Sequence, residues 1–316
     1  MDEMNKNGSV KNCIFRVLYQ LNTNNTFTRR RYDRSTLKWS SYILMRLSSS
    51  SSSSSSSCRN LEASILLNLL TNTTITDKTN MKRDDVNSIK KDYNYITWCL
   101  SFSLMNDLWN SKIKRNIYTI LNGPSIIIQL LSNESVTWSQ RCALLGVLNV
   151  MIRDQPSHFL SFGGVSTCLT LLWSGLNNKQ QEDESIEEIE RWECGQELVM
   201  KTIHDVGTKD ALTAKNMVST LICTKEGDIL ENVCGYRSIF YVLFKVTSPL
   251  FTPNTRKLAA LTIRKMRKLL LLSIDDDGGG GDGGNNDDDM EKQSEKNVKE
   301  ENKNNILKFP NLPQMY

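Results

Sequence analysis

The feature that most constrains this chain is a block of residues written twice. Tyr118-Thr-Ile-Leu-Asn-Gly123-Pro-Ser-Ile-Ile-Ile-Gln-Leu-Leu131 is followed by Phe159-Leu-Ser-Phe-Gly-Gly164-Val-Ser-Thr-Cys-Leu-Thr-Leu-Leu172. An offset of 41 pairs Gly123 with Gly164, Tyr118 with Phe159, Leu121 with Phe162, Leu130 with Leu171 and Leu131 with Leu172. A period of about 40 residues is the length of one helical unit in stacked repeat architectures, where no unit hides its apolar side alone. The expected fold class is therefore all-α, an α-solenoid.

Within each copy the pattern is a helix, a break and a second helix. Tyr118 and Leu121 precede Gly123-Pro124, and Ile126, Ile127, Leu130 and Leu131 follow it at helical spacing. Glycine ends a helix at little cost in the left-handed region, and proline opens the next because its missing donor belongs to the unpaired first turn. Between the copies, Thr137 to Ile152 reads as a longer helix. Its apolar residues form two stripes, one through Trp138, Cys142, Leu145, Leu148 and Ile152, the other through Ala143, Leu144, Val147 and Met151. A helix apolar on two sides is expected between neighbours, not on a surface. An earlier unit is expected over Tyr95 to Trp109, where Ser103, Leu104, Met105 and Leu108 precede Ala143, Leu144, Leu145 and Leu148 by 40 residues.

The block Leu121 to Leu131, followed by Arg141-Cys-Ala-Leu-Leu-Gly-Val-Leu-Asn-Val-Met151 and Phe162 to Leu172, resembles the armadillo repeat. In that family a glycine-led helix ending in Leu-Leu precedes a helix of small residues with an asparagine near its end. Asn149 stands at that place, and Asn106 is a second candidate. The resemblance implies an armadillo-like α-solenoid and a peptide- or protein-binding groove. The sequence shows no full asparagine ladder of the importin kind. Val150-Met-Ile-Arg-Asp-Gln-Pro156 and the following Phe-x-x-Gly-Gly are also similar to armadillo-like kinase-associated subunits of the septation network.

Three regions are expected. Residues 1–59 carry two short helical patterns, Cys13 to Leu21 and Leu37 to Leu47, the cluster Arg29-Arg-Arg-Tyr-Asp-Arg34, and the serine run 48–57. The arginine cluster reads either as a solvated loop or as a nuclear-import or anionic-surface patch. The serine run reads as a flexible insertion. Residues 60–274 form the repeat domain. Inside it, Thr71 to Lys91 reads as a polar loop, Asn177 to about Ser185 as another, and Asp210 to Cys223 and Val233 to Val246 as helices. Glu182, Asp183, Glu184, Glu187, Glu188, Glu190 and Glu193 suit the start of a helix electrostatically; the rival reading is an acidic patch with Trp192 as an aromatic anchor. Residues 275–316 form an acidic, glycine-rich tail expected to be disordered. Over 275–305 it carries eleven Asp or Glu against four Lys, a net −7 within a chain of +4. That tail is a candidate cover for the basic helix before it.

From Thr255 to Leu272, Ala259, Ile263, Met266 and Leu270 mark an apolar stripe, while Lys257, Arg264 and Lys268, with Lys265 beside them, mark a basic face. Such a face serves as the wet end of a stack or as a dock for an acidic segment or anionic lipid. Nucleic acid is disfavoured, because no aromatic residues are interleaved for base stacking. Met1-Asp-Glu-Met-Asn-Lys-Asn-Gly has none of the apolar run of a secretory signal, and no stretch reaches the length of a membrane span. The eight cysteines contain no CxxC pair and fall largely on apolar stripes, which suits reduced thiols in the cytoplasm or nucleus. His158 and His204 are the only histidines, and neither lies in a hydrolase, metalloprotease or phosphate-loop signature.

The functional expectation is a non-enzymatic protein–protein interaction scaffold with no cofactor and no metal. The alternative is a regulatory adaptor, kinase-associated or transport-type, whose basic C-terminal helix reads an acidic or phosphorylated segment. Candidate partner-binding residues are Asn106, Asn149, Lys257, Arg264, Lys265 and Lys268.

Overall fold

The computed structural model describes residues 2–23, 31–48, 56–74, 83–109, 111–177, 186–225 and 234–275. Most of the serine run and nearly all of the acidic tail lie outside the described residues, as do Arg29 and Arg30, so the readings made of them stay expectations. The chain divides into a unit spanning Met1–Leu270 and a second spanning Leu271–Tyr316, of which only 271–275 are described.

Among the described residues the fold is all-helical apart from one two-stranded sheet. The helices are α1 (Asp2–Thr23), α2 (Arg31–Ser48), α3 (Ser56–Thr74), α4 (Arg83–Trp109), α5 (Lys112–Ile120), α6 (Gly123–Ser132) and α7 (Trp138–Met151). They continue with α8 (Pro156–Ser161), α9 (Gly164–Asn177), α10 (Ile186–Gly207), α11 (Ala211–Val218), α12 (Ile239–Val246) and α13 (Pro253–Asp275). Strands β1 (Leu221–Lys225) and β2 (Cys234–Ser238) pair antiparallel between α11 and α12, with Leu221 opposite Ser238 and Cys223 opposite Tyr236.

That hairpin corrects the expectation of unbroken helices over Asp210–Cys223 and Val233–Val246. Ser219 closes α11, and the short run Leu221-Ile-Cys-Thr fits a strand period as well as a helical one. The loop expected over Thr71–Lys91 is shorter, since α3 runs to Thr74 and α4 begins at Arg83. Arg31 and Arg34 are helical instead of looped, and Arg34 pairs with Asp92 at 3.5 Å.

The helix expected over Thr137–Ile152 is α7. Thr137 accepts from the Gln140 N–H while the Gln140 side chain accepts from the Thr137 N–H, a reciprocal cap that fixes where α7 begins. Ala143, Leu144, Leu145, Val147 and Leu148 are all buried, so both apolar stripes are covered.

The repeated turn departs from expectation by one residue. The left-handed positions are Asn122 (φ 56°) and Gly163 (φ 75°), and Gly123 and Gly164 are the first residues of α6 and α9. These two glycines are required by space. A Cβ on Gly164 would lie 2.2 Å from the Phe159 ring, and one on Gly123 would lie 2.8 Å from the Tyr118 carbonyl oxygen and 3.3 Å from Met151 Sδ. Tyr118 and Phe159, paired by the sequence offset, are both buried, as are Leu131 and Leu172.

Two series of contacts organise the packing. In one, α1 packs on α3, α3 on α6, α6 on α9 and α9 on α12; in the other, α2 packs on α4, α4 on α7 and α7 on α10. The second series runs in one direction. Thr137 donates to Asn94 Oδ1 and Gln140 to Thr97 Oγ1, so α4 and α7 advance together. Ser139 meets Arg191 and Cys142 lies against Gly195, so α7 and α10 do the same. His204 bonds Thr262 at 2.9 Å and Gly207 faces Met266, which adds α13 in the same sense. Gln140 also donates to the Thr73 carbonyl of α3, and Gln196 of α10 to the Leu171 carbonyl of α9, joining the two series through buried amides.

Candidate functional site

Where α2 packs on α4, a group of aromatic side chains lies partly buried. On α2, Leu37, Ser41 and Leu44 are fully buried, and Lys38 and Met45 lean on α4. Trp39, Tyr42, Ile43 and Arg46 recur at the remaining helical spacing, so they share the outward side. Trp39 is 53% exposed and Ile43 40%. On α4, Asn94 and Thr97 meet α7, and Trp98 and Phe102, one and two turns after Asn94, continue along its side of the helix and are half-buried.

The rings form one platform. Trp98 and Phe102 stack with centroids 5.4 Å apart, Trp39 meets Tyr42 edge-on at 6.1 Å, and Tyr42, Trp98 and Phe102 all rest on a buried cluster of Met45, Tyr95 and Cys99. Burial pushes the Cys99 thiol up to about 12 and raises the Tyr95 hydroxyl as well, so both stay protonated as packing groups under the rings. One edge is cationic: Lys38 Nζ lies 2.7 Å from Asp92 and 5.4 Å from the Tyr95 ring centre, and Arg34 shares the same carboxylate. With Arg46 exposed on the same face, this surface suits apolar side chains flanked by carboxylates.

The residues singled out from the sequence fall in three places. Asn106 follows Phe102 by one turn and lies across α4 from Thr97, away from α7. Asn149 shares a stripe of α7 with Trp138 and Cys142, which meet α10. Both are half-buried, and the helix geometry directs them to different seams. Lys257, Arg264 and Lys268 occupy the side of α13 opposite Thr262 and Met266, and all three are exposed. Lys265 is turned from that group toward α10, where it and Lys201 act on His204.

Trp192 is not an exposed anchor: it stacks on the buried Phe251 with centroids 6.2 Å apart. Glu188 is drawn to Lys90 at 3.5 Å. His158 stacks on Phe162 at 6.0 Å in α8. Burial first, then Lys265 and Lys201, push the His204 imidazole down to about 4, which keeps it neutral against Thr262.

Trp39, Tyr42, Trp98 and Phe102 were not among the candidates drawn from sequence. Their signal is present in the spacings 39, 42, 43, 46 and 98, 102, but an aromatic stripe at helical spacing reads as core until its neighbours are known. Among the described residues no group of three or more His, Cys, Asp or Glu side chains is placed to hold a metal ion, and no helix is long and apolar enough to cross a membrane. Comparison with protein-family models, curated proteins and solved structures finds no significant match to this chain.

Proposed function

We propose that the chain is an armadillo-like α-solenoid that works as a non-enzymatic protein–protein interaction scaffold. Support for the architecture comes from the recurrence of contacts every third element, α3 on α6 on α9 on α12 and α4 on α7 on α10, with the short helices α5, α8 and α11 opening successive units. The observation that carries the function is the group of aromatic rings Tyr42, Trp98 and Phe102, half-buried on a packed cluster, with Trp39 exposed beside Tyr42. Preordered aromatic rings lose little entropy on binding and supply most of the affinity at protein interfaces. The occupant that fits is a segment of another protein with apolar or aromatic side chains next to Asp or Glu.

A second reading, the adaptor that reads an acidic or phosphorylated segment, is favoured by one observation: Lys257, Arg264 and Lys268 share an exposed face of α13. The two are separated by selecting peptides against the full chain from a random display library. The scaffold reading expects apolar-acidic peptides whose affinity falls about 30-fold or more in a Trp39→Ala, Phe102→Ala double variant with unchanged circular dichroism. Selection of purely acidic peptides that ignore this variant and release in high salt favours the adaptor. Selection of no peptide at all removes both.

A further inference from the structure

α7 and α10 meet unusually closely at one point. A Cβ on Gly195 would lie 2.6 Å from Trp138 Cε3, 2.9 Å from Trp138 Cζ3 and 3.4 Å from Cys142 Sγ, so only glycine admits the neighbouring helix there. Through that gap the Cys142 thiol reaches α10 and donates to the Arg191 carbonyl at 3.2 Å. Cys194 stands one residue before Gly195 on the same helix, so the two thiols flank this close approach and act on one another. Both are free thiols. Cys142 is buried and Cys194 half-buried, so one member of the pair is sealed in the seam and the other is open to small reagents.

We propose that Cys142 and Cys194 form an oxidation site, a dithiol that peroxide converts to a disulfide stapling α7 to α10. The shared proton favours this division of labour. When Cys194 ionises, the single Cys142 S–H turns from the Arg191 carbonyl to the Cys194 thiolate; that bond holds Cys194 below its ordinary range and, with burial, raises Cys142, so Cys194 supplies the thiolate. The Cys194 thiolate attacks one oxygen of hydrogen peroxide; an S–O bond forms, the O–O bond breaks and hydroxide leaves. The Cys142 sulfur then displaces the hydroxyl from Cys194; the S–S bond forms, the S–O bond breaks, and the Cys142 proton departs with the hydroxyl as water. The two sulfurs lose two electrons and the peroxide gains them. Cys168 is buried and its thiol is pushed up to about 12 by burial, so it is expected to stay reduced.

The test uses the full chain, treated with peroxide, alkylated, denatured and digested with trypsin. Cleavage after Arg141, Arg153, Arg191 and Lys201 places Cys142 and Cys194 each as the single cysteine of its peptide. The expected result is those two peptides joined, lighter by two hydrogens, with Cys168 recovered alkylated. The staple should raise the melting temperature by about 5 °C or more, reversed by reductant. In Cys142→Ser, a near-isosteric change, peroxide should leave a sulfenic acid on Cys194 that dimedone captures. The proposal is overturned if both peptides are recovered separately alkylated, if Cys194 links to another cysteine, or if dimedone labels Cys194 equally in the unsubstituted chain and in Cys142→Ser.

Discussion

The seam between α2 and α4 and the seam between α10 and α13 are built from the same kind of helix pair and closed by opposite chemistry. At α2–α4, a carboxylate shared by two cations lies beside a buried cluster on which the rings of Tyr42, Trp98 and Phe102 rest. At α10–α13, a neutral histidine is pressed between helices under two lysines, and the exposed side of α13 is basic. The first seam spends its apolar surface on a face and needs its charges; the second hides its apolar surface and needs one group to stay uncharged. Local chemistry at each seam, laid on one packing plan, differentiates the ends.

The largest effect that would break this contrast is acid. His204 titrates near 4 in the fold and near 6.5 when unfolded, so between those values the unfolded chain binds the extra proton. Stability is therefore intact above about pH 6.5 and is lost as pH falls toward 4, by up to about 3 kcal/mol from this group. Urea unfolding at pH 7, 5.5 and 4.5 should show that loss, and His204→Gln should reduce its slope; an unchanged slope in the variant would assign the acid sensitivity elsewhere.

A smaller effect probes the other seam. Asp92→Asn leaves Arg34 and Lys38 without their carboxylate and should cost about 1–2 kcal/mol at neutral pH, read from the urea midpoint. It should also loosen the platform, visible as a change in tryptophan fluorescence. The smallest effect belongs to the basic face: Lys257→Gln and Arg264→Gln, both exposed, should shift stability by less than about 0.5 kcal/mol. A large loss there would mean that those cations hold α13 in place.

The sequence made some of this legible for physical reasons. α7 is legible because its cap and its two apolar stripes report local and tertiary burial together, and Tyr118 and Phe159, paired by the offset, are both buried. The glycines mark the break but not which residue turns left-handed, since a left-handed turn and a close approach leave the same mark in sequence. Gly164 makes room for Phe159 while Gly163 makes the turn. The β1–β2 hairpin is hidden because five-residue runs such as Leu221–Lys225 are too short to tell a strand period from a helical one. The platform was hidden for a different reason: whether Trp98 faces core or solvent depends on where α2 lies, and no residue near Trp98 in sequence encodes that.

The most direct test of the account compares two variants against one selected peptide by calorimetry at 50 and 500 mM salt. Trp39→Ala with Phe102→Ala removes the platform, and Lys257→Gln with Arg264→Gln and Lys268→Gln removes the basic face. The account predicts a loss of about 30-fold or more for the first at both salt concentrations and less than about threefold for the second. The reverse order, with binding abolished by salt, would contradict it.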